Sequence, residues 1–196
     1  MATNPTPIVL TDPKGIDLAL FEIQTKLTGA TGLDWLTNAY GKAEYKKEVE
    51  GNNNVVYPAV YAGNREYLKL FPDSHLGNFC FFIIEDNEEI LTQSLKNREL
   101  KSNLSLIFWF DFDTVYPSPL IPDEYSVENV KDQVSTFFKQ NVFINSAFEW
   151  NNNYQKGNNI YDGFTDKEID NQFLMRPYGG FRLEGTITYF EKSNNC

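Results

Sequence analysis

The strongest candidate for chemistry in this sequence is a pair of acids, Asp111 and Asp113, at the end of a long apolar run. If that run is a β-strand, residues i and i+2 point to the same face, and the two carboxylates lie side by side. Glu85 and Asp86 follow a neighbouring apolar run and could join them. Grouped carboxylates can hold Mg²⁺ or act in acid–base catalysis. Acids where strands leave a core are also ordinary solvated residues, so a metal-dependent enzyme is only the third alternative for this chain.

The other residue types that support catalysis or metal binding are scarce. His75 is the only histidine, and the two cysteines are Cys80, inside an apolar run, and Cys196, the last residue. These three residues cannot supply the four spaced ligands of a structural zinc site. We expect no disulfide between a core strand and the chain end, which indicates a reducing compartment. The sequence also lacks phosphate-loop, dinucleotide-binding and nucleophile-elbow glycine motifs. We therefore expect no enzyme activity, no catalytic or metal site and no cofactor.

The charge of the chain argues against nucleic-acid and lipid partners. It carries 17 basic and 27 acidic residues, for a net charge of −10, and its longest basic run is the pair Lys46 and Lys47. A phosphate backbone or an anionic membrane requires a basic patch. The sequence contains no apolar run of about 18 residues that could span a membrane, and residues 1–7 do not resemble a signal peptide. We expect no specific DNA binding, no membrane attachment and no export.

Apolar periodicity predicts two amphipathic helices. The first is expected over residues 12–28, with Asp12 as its N-cap and Gly29 as its C-terminal stop. Its apolar residues recur at helical spacing: Ile16, Leu20, Ile23 and Leu27. The second is expected over residues 126–139, with a similar apolar stripe.

Strand patterns occupy most of the remaining chain. The predicted strands are residues 43–50, 55–61, 67–71, 79–84, 104–112 and 181–190. Runs 79–84 and 104–112 are almost continuously apolar, which is typical of central strands covered on both faces. We expect four of their residues to pack against the first helix: Phe81, Ile83, Ile107 and Trp109. The predicted fold class is α+β, with a mainly antiparallel sheet covered on one face by two amphipathic helices.

Two segments combine turn-forming residues with apolar side chains. Residues 1–11 are predicted to be an extended N-terminal arm, because Pro5 and Pro7 exclude a helix. Residues 12–196 are predicted to form a single domain with a long loop insertion at about 140–165. A loop that contacts only water has no need of aromatic side chains, which supply large contact areas for little entropy. We therefore predict subunit contacts at Ile8, Val9, Leu10, Phe143, Phe148, Trp150, Tyr154, Tyr161 and Phe164.

The order of elements resembles that of the tail-terminator or tail-completion ring proteins of tailed bacteriophages, and of the neck-ring proteins of crAss-like phages that infect Bacteroidales. The resemblance rests on the helices at 12–28 and 126–139, the strand at 57–61, the central strands and the closing strand at 182–189. It covers most of the chain as an order of elements. The sequence carries no diagnostic motif of the family, and the insertion near 140–165 departs from a compact member.

This resemblance implies a tail-terminator-like fold and a structural virion protein without catalytic residues. Such a protein is located in the neck or tail of the virion after assembly in the bacterial cytoplasm. It forms a closed ring of identical subunits, often six- or twelvefold, that joins the portal to the tail and contacts neighbouring portal, connector or tail proteins. DNA at most passes through the lumen without specific binding. The alternative that stays open is a non-catalytic interaction domain of another complex.

Overall fold

The computed structural model describes residues 10–50, 53–71, 76–94, 97–116, 123–155, 160–165 and 177–192. His75, Cys196 and the predicted arm up to residue 9 lie outside these ranges. The elements, in chain order, are α1 (Ile16–Leu27), β1 (Asn38–Lys42), β2 (Glu44–Glu50), β3 (Asn53–Gly63), β4 (Glu66–Lys69), β5 (Phe79–Gln93), β6 (Asn97–Asp111), α2 (Phe112–Val115), α3 (Asp123–Gln140), β7 (Ser146–Gln155) and β8 (Tyr178–Lys192).

The strands form two sheets. The larger has the order β1-β5-β6-β8-β7, and the smaller has the order β2-β3-β4. Within the larger sheet only β1 pairs in parallel, with β5, while the other neighbours are antiparallel. The smaller sheet is antiparallel throughout. The predicted class, α+β with a mainly antiparallel sheet, is confirmed.

One face of the larger sheet packs against α1 and α3. Side chains alternate along a strand, so Cys80, Phe82 and Ile84 of β5 point to this face together with Leu106 and Phe108 of β6. The helices contribute their apolar stripes to the same core: Ala19, Leu20, Ile23 and Leu27 from α1, and Val127, Val130, Val134 and Phe137 from α3.

The opposite face carries a second core, and here the sequence-based prediction needs correction. The four residues predicted to pack against the first helix are buried as expected: Phe81, Ile83, Ile107 and Trp109. They point away from α1, however, and pack against Val60 and Leu68 of the smaller sheet and against Leu70, which follows β4. A shift of one residue moves a side chain to the other face, and both strands are apolar on both faces, so the pattern could not assign the face. The molecule thus has three layers: helices, large sheet and small sheet.

The first helix begins later than predicted. Its N-cap is Gly15, with φ 54° and ψ −127°, and no side chain caps the helix. A residue with a Cβ adopts this backbone conformation rarely, so the chain enters the helix at the glycine and not at Asp12. Asp12 instead pairs with Lys14 at 3.4 Å. None of the described helices is long and apolar enough to cross a membrane.

The prediction of a long loop over residues 140–165 was wrong for its middle part. Residues 146–155 form β7, which pairs with β8 and has an extra residue between Trp150 and Asn152. This bulge lies opposite Gly185, where an added Cβ would come within 2.0 Å of the Glu149 carbonyl oxygen. Asparagine is depleted in strands, so three consecutive asparagines hid the alternation of Phe148 and Trp150.

Candidate functional site

The two acids that looked most like a catalytic pair do not share a strand face. Asp111 is the last residue of β6 and caps α2, since its Oδ1 accepts a hydrogen bond from the backbone N–H of Asp113 at 2.9 Å. Asp113 already lies in the helical turn. The rule that residues i and i+2 point alike applies only within a strand, so this prediction was wrong.

Glu85 lies far from both acids. Its neighbour Ile84 pairs with Leu104, and Asp111 is seven positions further along β6, which corresponds to roughly 23 Å of extended chain. The Glu85 carboxylate accepts a hydrogen bond from Asn103 Nδ2 at 2.6 Å. Within the described residues, no three His, Cys, Asp or Glu side chains are grouped closely enough to hold a metal ion.

Asn78, which the sequence reading missed, is the polar centre of this end of the sheet and is only 4% exposed. Its Nδ2 donates to the Trp35 carbonyl oxygen and to Thr114 Oγ1, both at 2.9 Å. Its Oδ1 accepts from the Asp111 N–H at 2.8 Å. These bonds join the segment after α1 to the end of β6 and to α2. We name this arrangement the Asn78 corner, and its role is structural.

A groove of about 530 Å³ lies between α3 and β7 and is named the β7 groove. Its volume falls in the range of small ligand and peptide-anchor sites. Its aromatic lining is Phe138, Phe143, Phe148 and Trp150, and the charged residues that line it are Lys131 and Lys139. The groove therefore brings together three of the predicted contact residues: Phe143, Phe148 and Trp150.

The aromatic rings of the β7 groove support one another. Phe148 and Trp150 are two residues apart on β7 and stack with centroids 5.7 Å apart and an interplanar angle of 9°. Phe138 of α3 meets the Trp150 ring edge-on at 5.2 Å, and Phe143 meets Phe148 edge-on at 5.3 Å. Stacked and edge-to-face pairs are the favourable arrangements for aromatic rings, so these walls are preformed.

The turn that connects α3 to β7, residues 141–145, is held by two side chains of α1. The Glu22 carboxylate accepts hydrogen bonds from the backbone N–H groups of Ile144 at 2.9 Å and Asn145 at 3.0 Å. Lys26 Nζ donates to the Val142 carbonyl oxygen at 2.8 Å. Burial by itself raises the pKa of Glu22, but these hydrogen bonds outweigh it and leave the pKa below its ordinary value. We name this arrangement the Glu22 anchor.

The Glu22 anchor presents apolar side chains to solvent. Phe143 turns inward and packs against Phe137 and Phe138. Its neighbours Val142 and Ile144 are 78% and 82% exposed. A fixed turn with two exposed aliphatic side chains beside an aromatic groove is typical of a contact surface, because little entropy remains to be lost on binding.

The two edges of the large sheet differ in their availability. Among the described strands, β7 pairs only with β8, so its outer edge has no neighbour. The β1 edge is short, its register with β5 is irregular, and Gln24 Nε2 already donates to the Ala39 carbonyl oxygen at 2.8 Å. Short, irregular and covered edges resist pairing with another chain, so β7 is the more available edge.

A second groove, of about 1240 Å³, lies between α1, β1 and the small sheet and is named the β1 groove. Its half-exposed apolar lining is Leu10, Phe21, Tyr45 and Tyr61. The charged residues that line it are Asp17, Glu44, Glu85 and Lys42. Its lining is therefore acidic on balance, in contrast to the β7 groove.

The remaining predicted contact residues are distributed differently. Tyr161 belongs to the second core and is 3% exposed, so it presents almost no surface. Burial raises the pKa of its hydroxyl. Phe164 stacks on Tyr45 with centroids 4.9 Å apart. Ile8, Val9 and the side chain of Tyr154 lie outside the described part of the chain.

No family model matches the sequence, and no curated protein is significantly similar to it.

Proposed function

We propose that this protein is a structural virion component, a ring subunit of the bacteriophage head-to-tail connector or tail that joins the portal to the tail. The order of elements that resembles tail-terminator proteins motivates the proposal. The observation that carries it is the β7 groove, where aromatic side chains line a surface beside an unpaired edge strand. The tail-terminator-like fold and the location in the virion are parts of the same proposal.

The chemistry of the β7 groove suits protein contact better than catalysis. Its lining combines aromatic rings with two lysines, and no acid, histidine or cysteine of the described residues lines it. Large amphipathic rings contribute most of the binding energy at protein interfaces. The exposed Val142 and Ile144 extend the apolar surface next to the groove. These features support a protein-binding surface at the β7 groove, on a chain that is otherwise strongly acidic.

A ring is the assembly that makes best use of such a surface. A contact that joins one patch to a different patch repeats from copy to copy, and it closes into a ring when the rotation allows. Each contact can be modest, because neighbours in the ring reinforce one another. The net charge of −10 suits a lumen through which DNA passes without adhering, since like charges repel.

The test is the assembly state of the purified chain, measured by native mass spectrometry and negative-stain electron microscopy. We expect closed rings of six or twelve copies, and we expect Ile144→Asp to prevent them. Ile90→Asp is the matched control, since Ile90 is also more than half exposed but lies on β5 and not on the turn beside the β7 groove. Ring formation by the control and not by Ile144→Asp would support the proposal.

Two other outcomes would contradict the proposal. The first is a chain that stays monomeric alone and is missing from the purified particles of the phage that encodes it, assayed by mass spectrometry of the virion. The second is a stable complex with one different protein and no ring, which would favour the interaction domain of another complex.

A further inference from the structure

We propose that the β7 groove of one copy docks on the β1 groove of the next copy, so that the contact between subunits is head-to-tail and is oriented by opposite charges. This inference rests on the proposed function, because it names the partner of the β7 groove as a second copy of this chain. It adds three points to that function: the second contact surface, the charged residues that set the register of the contact, and the head-to-tail direction of the subunits in the ring.

The positions of the two grooves support a head-to-tail contact. One groove lies at β1 and the other at β7, the opposite edges of the large sheet. The two edge strands are four strand spacings apart, which corresponds to a distance of roughly 19 Å. Since the grooves are different surfaces, a contact between them leaves one groove of each kind free on every pair. The same contact can therefore be repeated by a third copy.

Charge is the reason to choose a second copy as the occupant. Of the residues that the structure describes, three carboxylates and one lysine line the β1 groove, for a net lining charge of −2, whereas two lysines and no acid line the β7 groove. Two copies of a chain with net charge −10 repel each other in most orientations. The approach of the lysine-lined groove to the acidic groove is the orientation in which the local charges attract.

Among the charged residues of the two grooves, one lysine and one acid at helix ends are free to pair with a neighbour. Lys139, in the last turn of α3, and Asp17, in the first turn of α1, are exposed. Neither has an ion-pair partner within the described ranges. By contrast, Lys131 pairs with Glu128 at 3.0 Å and Glu44 pairs with Lys46 at 2.8 Å. We therefore place the intersubunit ion pair between Lys139 of one copy and Asp17 of the next.

The apolar surfaces of the two grooves are also complementary. Val142 and Ile144 protrude beside the β7 groove. The larger β1 groove offers the half-exposed rings of Phe21, Tyr45 and Tyr61 to receive them. Burial of these side chains supplies affinity, whereas the ion pair mainly supplies the association rate and the register.

A charge-swap experiment tests the inference. We expect Lys139→Glu and Asp17→Lys each to weaken self-association about tenfold, measured by sedimentation velocity in about 50 mM salt, where charges are weakly screened. The two substitutions combined in one chain should restore association. An equal mixture of the two single variants should also associate, because each altered groove then meets a complementary one. Unchanged melting temperatures would show that the variants are folded.

Matched controls separate a local contact from a general charge effect. Lys47→Glu and Glu66→Lys make the same charge changes at exposed positions that line neither groove. We expect both controls to associate like the unaltered chain. Equal weakening by the controls would overturn the inference, and so would an unaltered chain that remains monomeric at about 1 mM.

The outcomes distinguish this inference from the proposed function. If rings form and the combined charge swap does not restore association, the two grooves do not dock on each other although the ring function stands. If the charge-swap pattern holds but electron microscopy shows only pairs or open chains, the docking stands and the ring function is wrong.

Discussion

The Asn78 corner and the Glu22 anchor are built in the same way but differ in what surrounds them. In each, one sheltered polar side chain binds backbone groups of a distant segment. Around Asn78 the apolar side chains of the sheet are enclosed: Phe79, Cys80 and Trp109 are almost fully buried. Around Glu22 the held turn exposes Val142 and Ile144.

This difference indicates that the two arrangements have different roles, one in folding stability and the other in positioning exposed side chains. A polar residue enclosed by core cannot be replaced without leaving its partners unsatisfied, so the Asn78 corner contributes mainly to folding. A polar residue that holds a surface turn contributes less to folding, but it fixes the position of the side chains that the turn presents.

Truncation of the core beside the Asn78 corner should have the largest effect. Trp109 is 2% exposed, stacks on Phe79 with centroids 5.6 Å apart, and packs at a tilt against Tyr178 at 5.0 Å. We expect Trp109→Ala to lower the free energy of unfolding by about 3–5 kcal/mol, measured by urea denaturation. An unchanged denaturation midpoint would show that this strand is not in the core.

Replacement of the polar centre should have the next largest effect. Asn78→Ala leaves the Trp35 carbonyl and the Asp111 N–H without their partner, and we expect a loss of about 2–4 kcal/mol. Asn103→Ala is the control, because its bond to Glu85 is exposed and should contribute less than about 1 kcal/mol. Similar losses for both variants would contradict the structural role of the Asn78 corner.

Glu22→Gln should have a smaller effect on folding and a larger one on assembly. The amide retains one acceptor oxygen but loses the charge that strengthens the bonds to Ile144 and Asn145. We expect a stability loss of about 1–2 kcal/mol, together with weaker self-association at a temperature where the variant is folded. A variant with reduced stability and unimpaired association would show that self-association does not depend on the bonds between Glu22 and the turn.

The smallest effect should appear in the pH dependence of stability. The pKa of Glu22 in the folded protein lies below its ordinary value of 4.5. Its contribution is therefore complete above about pH 4.5 and is lost as the pH falls through the folded value. We expect the unaltered chain to lose more stability below pH 4.5 than Glu22→Gln does. Parallel stability curves for the two proteins would contradict this.

The sequence was sufficient for elements with strong local patterns. The apolar stripe of α1 and the continuous runs of β5 and β6 predicted their helix and strands, and these determine the fold class. The sequence could not assign Trp109 to a sheet face, because both neighbouring positions are apolar. It also missed β7, since pairing with β8 is a long-range interaction that overrides the low strand propensity of asparagine.

The candidate site was predictable only in part. The aromatic residues Phe143, Phe148 and Trp150 stood out because they lie among turn formers, and the structure brings them into one groove. The roles of Asn78 and Glu22 depend on partners that are at least 33 positions away in the chain, and no local pattern indicates such bonds. The β1 groove is lined by residues of five elements, α1, β1, β2, β3 and β5, and no local pattern in any one of them indicates a groove.

The burial of Cys80 on β5, an interior strand of the large sheet, has a practical consequence. Its side chain is fully enclosed, and burial raises the pKa of its thiol. Only the thiolate reacts readily with alkylating reagents, so Cys80 is inert until β5 separates from its neighbours. In a Cys196→Ser background, the labelling rate of Cys80 would therefore time the opening of the sheet, and comparison of free and assembled copies would reveal whether assembly slows that opening.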